Sequence, residues 1–349
     1  MKVGIFSPYL ETMGGGERYL LTVAEFFLHR GDNVTIFSNH EKNAAEVKTR
    51  FDLDLTGVKF SPDVFFSDKH ILSKLAVTLS YDLIFFLSDG SIPSTLAATN
   101  LLHFQTPFHY ANQKTILNKI KLARFKAVVC NSKFTKSYID KTYDLDSLVL
   151  YPPVDVAKFS PGKKENIILS VGHFYGDIRP KRQDIMVKTF IKLGLSKWRL
   201  VLIGGARNGA EKEITRLRKI AAGYPIELIT DSPFIVTQNH YAKAKIYWHA
   251  AGFGTDIEKF PEKAEHFGMS TVEAMAAGAI PIVFAGGGQK EIITNGQNGF
   301  FWTTTPELKN ITLRVANSDT LRAKIAQAAI RRSKDFSKEK FFAKLNEIL

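Results

Sequence analysis

The chain has 349 residues, room for about two domains of about 150 residues each. With 45% hydrophobic residues, 23% charged residues and a single cysteine, Cys130, it is neither a disordered chain nor a disulfide scaffold, and no apolar run approaches the ~18 residues of a membrane span. The net charge of +13 calls for an anionic partner but names none, since nucleic acid, a membrane surface and a phosphorylated substrate all fit.

Met1 to Ser7 reads as a buried strand and lacks a signal-peptide pattern. Gly14–Gly15–Gly16 follows, then helical periodicity from Glu17 to His29, then a strand over Asn33 to Phe37. This strand–loop–helix–strand unit opens a doubly wound parallel sheet. Further short strands are predicted at Leu83–Phe86, Leu101–Phe104, Ala127–Cys130 and Leu148–Tyr151. Between them, Lys114, Lys119, Lys121, Arg124 and Lys126 interleave with Ile116, Leu117, Ile120 and Leu122 at helical spacing. Such a basic amphipathic helix either docks on its own domain or lies on an anionic membrane.

At Pro152–Pro153, with Pro161–Gly162 soon after, the pattern breaks as a linker does. It then restarts. Asn166–Val171, Trp198–Ile203, Ile226–Ile229 and Ile280–Phe284 read as strands, and Asp184–Leu193, Glu211–Ala222 and Thr271–Ala277 as helices. Tyr241–Tyr247 adds an element, and Ser337–Leu349 ends the chain in a helical pattern. Residues 1–155 hold 17 basic and 16 acidic residues, whereas 156–349 hold 30 and 18, so the charge excess lies in the second half. Two successive α/β units predict two Rossmann-like domains.

Glycines between a first strand and a first helix let backbone N–H groups approach an anion, and Gly14–Gly16 has that place. GxGxxG is absent, and no acid follows Phe37–Ser38–Asn39, which argues against a nicotinamide dehydrogenase. Gly204 to Gly209 is followed by Ala210–Glu211 and is not a P-loop. A tight turn accounts for the first run as well as anion binding does, and for the second better. Asp52–Leu53–Asp54 and Asp144–Leu145–Asp146 spell D-x-D, but neither follows a buried strand, so both read as surface acids. His103 and His109, six residues apart, find no third ligand at metal-binding spacing, and no metal is expected.

The densest signal is Glu265 to Gly278, Glu-His-Phe-Gly-Met-Ser-Thr-Val-Glu-Ala-Met-Ala-Ala-Gly. Ser270 and Glu273 have capping-box spacing, which starts a helix at Thr271 and ends it at Gly278. Glu273 is then either a cap or a ligand. Gly268 lets a ligand come close, and the helix N-terminus offers free N–H groups. A diphosphate there, with Glu265 and Glu273 accepting bonds from sugar hydroxyls, makes a coherent site.

Glu265 and Glu273 match the E-x7-E motif, and the run resembles the retaining nucleotide-sugar glycosyltransferases of family GT4, also called glycosyltransferases group 1. Gly14–Gly15–Gly16–Glu17–Arg18, Cys130 to Thr135, Tyr151–Pro152–Pro153–Val154–Asp155 with Phe159, Ile168–Gly172 with Lys181–Arg182–Gln183, and Trp248–His249–Ala250–Ala251–Gly252–Phe253–Gly254 resemble segments of that family in its order. The resemblance implies a GT-B fold: two Rossmann-like domains facing a cleft, over 1–155 plus 334–349 and over 156–333, with the last helix crossing back. It implies a hexosyl transfer from a UDP- or GDP-sugar to a glycan or lipid-linked acceptor, with retention and without a metal or other cofactor.

Carried over residue by residue, the resemblance makes His103, Lys181 and Glu265 the catalytic group. Lys181 neutralises the leaving diphosphate. Gly15, Gly16, His173, Arg179, Arg182, Phe267, Gly268, Met269, Ser270 and Glu273 bind the donor, and Ser232 and Phe234 border the base. Where the family often has arginine, this chain has His173, so Arg179 or Arg182 is expected to compensate. A cytoplasmic location is expected, with no nucleic acid; for Lys114–Lys126 peripheral membrane contact stays open beside a docked surface helix, the commoner case. The alternative is a non-catalytic sugar-nucleotide or polyanion-binding protein on the same scaffold.

Overall fold

The computed structural model describes residues 1–8, 10, 14–38, 51, 53–61, 71–109, 113–174, 181–206 and 209–349. It divides into two compact units, Met1–Pro152 with Phe342–Leu349, and Pro153–Phe341.

In the first unit, β1 (Lys2–Phe6), β2 (Asn33–Phe37), β3 (Lys59–Ser61), β4 (Leu83–Leu87), β5 (Thr99–Phe104), β6 (Ala127–Cys130) and β7 (Leu148–Val149) form one parallel sheet in the order β3-β2-β1-β4-β5-β6-β7. Helices α1 (Gly15–His29), α2 (Ile71–Leu79), α3 (Ile116–Leu122) and α4 (Lys133–Tyr143) connect them. β4 is apolar and buried at all five positions, as a strand covered on both faces must be. α1 buries every residue from Glu17 to Phe27.

The second unit repeats the plan. β8 (Glu165–Val171), β9 (Arg199–Gly204), β10 (Ile226–Thr230), β11 (Ala244–His249), β12 (Ile280–Phe284) and β13 (Phe300–Trp302) pair in parallel in the order β10-β9-β8-β11-β12-β13. Its helices are α5 (Gln183–Leu193), α6 (Glu211–Ala221), α7 (Phe234–Lys243), α8 (Met269–Ala276), α9 (Gln289–Ile292), α10 (Thr305–Ala316) and α11 (Asp319–Ser333). The last helix, α12 (Lys338–Ile348), begins in this unit and ends in the first. In each sheet the strand order reverses beside the first strand, between β1 and β4 and between β8 and β11, the switch point where doubly wound folds hold ligands.

Three details differ from the sequence expectation. The second unit starts at Pro153 and keeps residues 334–341, because Val154 pairs with Ser337 and accepts the Lys338 N–H at 3.0 Å. Tyr241–Tyr247 is split, its first part ending α7 and the rest forming most of β11. α8 starts at Met269 rather than Thr271, because Gly268 at φ 119° is the N-cap and its carbonyl accepts from Thr271 and Val272.

Candidate functional site

The second unit gathers its chemistry at the C-terminal ends of β8 and β11. Gly172 and His173 follow β8, Lys181 stands before α5, His249 ends β11, and Glu265 leads into α8. Lys181 Nζ reaches Glu265 Oε2 at 2.8 Å, and His249 Nε2 reaches the same oxygen at 2.7 Å. Burial alone would raise the Glu265 pKa. The Lys181 charge and the His249 hydrogen bond outweigh it and hold the carboxyl well below the usual carboxylate range.

The backbone around Glu265 is equally constrained. Its carbonyl accepts the Gly288 N–H at 2.8 Å. A Cβ on Gly287, which has φ +59°, would stand 2.1 Å from that carbonyl oxygen, so only glycine lets the two segments approach.

α8 presents its N-terminus to the same region. The Met269 and Ser270 N–H groups precede the first intrahelical bonds and have no acceptor among the described residues. Ser270 and Glu273 do not form the expected capping box. Ser270 Oγ instead accepts from Tyr247 Oη at 2.8 Å, and the buried Glu273 carboxylate accepts from Tyr241 Oη at 2.8 Å. Phe267 is buried against Phe336, ring centroids 5.3 Å apart.

Arg182 is turned away from Glu265. It adopts φ 56°, its Nε donates to Asp184 Oδ1 at 3.1 Å, and its guanidinium donates to the Phe253 carbonyl and lies over the Phe253 ring. Its side chain therefore holds the 250–254 loop. Arg179 lies outside the described residues. The His173 carbonyl accepts from Gln183 Nε2 at 3.1 Å. Ser232 and Phe234 follow β10, with Ser232 Oγ 3.3 Å from Thr237 Oγ1 and Phe234 edge-on to Phe159.

The remaining positions are in the first unit. Gly15 and Gly16 open α1, and Gln105 Nε2 donates to the Gly16 carbonyl at 3.1 Å. A Cβ on Gly16 would meet Gln105 Oε1 at 2.2 Å. His103, on β5, is fully buried, and its ring nitrogens make no hydrogen bond of ordinary geometry among the described residues, although the Val129 backbone lies close enough to favour the charged ring slightly. Burial pushes its pKa down to about 3.

Several motifs prove structural. A Cβ on Gly204 would lie 2.0 Å from the Gly172 carbonyl oxygen, so that glycine serves a close strand-end approach. Asp54 closes a turn onto Thr56, Asp144 pairs with Lys119 and Asp146 with Lys136, while Asp52 lies outside the described residues. Among the described residues no cluster of His, Cys, Asp and Glu could hold a metal. Sequence reasoning assigned no role to His249, Tyr241 or Tyr247, although the Trp248–Gly254 run containing His249 was visible.

The profile of the family described as glycosyl transferases group 1 matches residues 154–332, and that of glycosyltransferase family 4 matches residues 13–158. The chain is 30% identical over 184 residues to the GDP-Man:Man(3)GlcNAc(2)-PP-Dol alpha-1,2-mannosyltransferase of Xenopus laevis, covering 47% of this chain and 35% of that protein. The Homo sapiens protein of the same name is 30% identical over 188 residues, again with 47% and 35% covered, so this chain spans only about a third of the length of either. A glycosyltransferase from Rickettsia africae ESF-5 superposes with a TM-score of 0.80 at 19% identity, covering 99% of this chain and 97% of that one. Anabaena Alr3699/HepE, solved with UDP and glucose, gives 0.74 at 18%, covering 99% and 98%. With two parallel α/β units and these neighbours the fold is GT-B, and the chain belongs to the glycosyl transferases group 1 family.

Proposed function

We propose that the chain transfers a hexosyl group from a nucleoside-diphosphate sugar to a glycan or lipid-linked acceptor, with retention and without a metal. The observation that carries this reading is the convergence of Lys181, Glu265 and the open α8 N-terminus at the β8–β11 switch point. An ammonium and two unpaired N–H groups suit a diphosphate, and two oriented carboxylates suit sugar hydroxyls. In the reaction the bond from sugar C1 to the diphosphate oxygen breaks and one from C1 to the acceptor oxygen forms. The acceptor proton passes to the leaving phosphate. Lys181 offsets the charge that develops there. The excess of cations in residues 156–349 is consistent with this assignment.

The base is open. The curated relatives are named for GDP-mannose, and Anabaena HepE was solved with UDP-glucose. Thermal unfolding with UDP, GDP, ADP and their sugars tests the reading. One nucleotide should raise Tm by linkage, and its sugar should then be hydrolysed slowly without acceptor. No shift with any of them overturns it.

Peripheral contact with an anionic membrane, at the cytoplasmic face, belongs to the same reading. On α3, Ile116, Leu117 and Ile120 are 79%, 61% and 63% exposed rather than docked. Leu72, Leu79 and Leu96 are exposed too, and Leu96 N–H donates to Thr78 on α2. Lys121 and Arg124 bond to the carbonyls of Ile92 and Ala97, which ties α3 to that same stretch. Exposed apolar side chains with cations at their rim fit lipid headgroups better than a soluble partner. No helix among the described residues is long and apolar enough to cross a membrane.

A further inference from the structure

We infer that His249 is a positioning residue that keeps the Glu265 carboxylate aimed when a donor recruits Lys181. The inference rests on the proposed donor site and adds a residue that neither motif nor family resemblance assigned. Glu265 Oε2 carries two donors at once, Lys181 Nζ at 2.8 Å and His249 Nε2 at 2.7 Å, while Oε1 has no hydrogen bond among the described residues. The two donors differ in kind. Lys181 is a flexible side chain ahead of α5, a quarter exposed, and a diphosphate would compete for its ammonium. His249 is 4% exposed and terminates a central strand. Its carbonyl accepts the Trp302 indole N–H at 3.2 Å, and the loop after it is held at Phe253 by Arg182.

If Lys181 alone oriented Glu265, donor binding would release the carboxylate at the moment it was needed. With His249 on the same oxygen, the anion can take the ammonium while Oε2 stays bonded and Oε1 stays directed at a sugar hydroxyl. A carboxylate accepts, so Nε2 carries the hydrogen in this arrangement. The neighbouring glycines, which admit the Glu265 backbone against Gly287 and Gly288, fix the other end of the residue.

The test compares wild type with His249→Phe, His249→Gln and His249→Asn, measuring Kd for GDP against GDP-mannose and UDP against UDP-glucose. Gln can place an amide N–H where Nε2 stands; Asn is too short, and Phe has no donor. Bare nucleotide affinity should be unchanged in all variants. The extra affinity for the sugar nucleotide should fall about tenfold in His249→Phe and His249→Asn and persist in His249→Gln. Wild-type discrimination in His249→Phe or His249→Asn, or equal loss in His249→Gln and His249→Asn, overturns the inference. If His249→Phe does not fold, the Gln and Asn pair decides. Failure of wild type to bind UDP, GDP, ADP or any of their sugars is a different result, and it removes the proposed function together with this inference.

Discussion

The imidazole of His103 lies flat on the ring of Tyr19, with centroids 4.1 Å apart and planes 11° from parallel. Tyr19 is buried as well, and its hydroxyl donates to the Leu150 carbonyl at 3.3 Å. Nothing in this packing offers a charged imidazole a counterion, and burial sets its pKa at about 3.

His103 should therefore stay uncharged wherever the chain is folded. Its ring NMR signals are expected to be flat between pH 5 and 8. The sign for stability follows. Unfolded histidine binds a proton near pH 6.5 and folded His103 only near 3, so stability falls as pH drops between these values. His103→Phe keeps a flat ring and should remove part of that loss in urea titrations. A titration midpoint near 6.5 in the folded chain contradicts the packing.

Glu265 has the opposite linkage. Its folded pKa is depressed, so its pairing stabilises the fold above the ordinary carboxylate pKa and is lost as pH falls through the folded value. Glu265→Gln should flatten the acid limb of stability between pH 5 and 3. An unchanged acid limb would show that Lys181 and His249 do not hold the carboxylate in solution.

Gly204→Ala should cost about 3 kcal/mol in denaturant unfolding, because the new methyl meets the Gly172 carbonyl rather than a side chain that can move. A loss below about 1 kcal/mol would mean that β8 and β9 separate easily at this end.

Replacing Ile116, Leu117 and Ile120 by Ser should leave Tm unchanged, since all three are exposed. Wild type should co-sediment with phosphatidylglycerol vesicles at low salt, and the variant should not. Wild type that fails to sediment at low salt refutes the membrane surface.

Much of the architecture is legible in the sequence, and for a definite reason. β2, β6 and β12 coincide with the predicted strands, and β12, Ile-Pro-Ile-Val-Phe, is the apolar run that a strand covered on both faces needs. Gly278, at φ +73°, stands past α8 as its composition required. The E-x7-E spacing spans the start of one helix, with Glu265 before it and Glu273 within it. β3, β13, α2, α10 and α11 all escaped; β3 and β13, three residues each, are too short to show a period.

What sequence could not decide was the partner of each polar group. Lys181 and Arg182 are adjacent in the chain, yet one reaches Glu265 and the other Phe253, because Arg182 takes a left-handed backbone that turns the two side chains apart. Ser270 and Glu273 look like a cap until Tyr247 and Tyr241 bring hydroxyls from 23 and 32 residues earlier. Hydrophobic periodicity is local and survives in one dimension. Hydrogen bonds between strand ends depend on how the sheet is wound, and only the tertiary structure brings His249 to the carboxylate of Glu265.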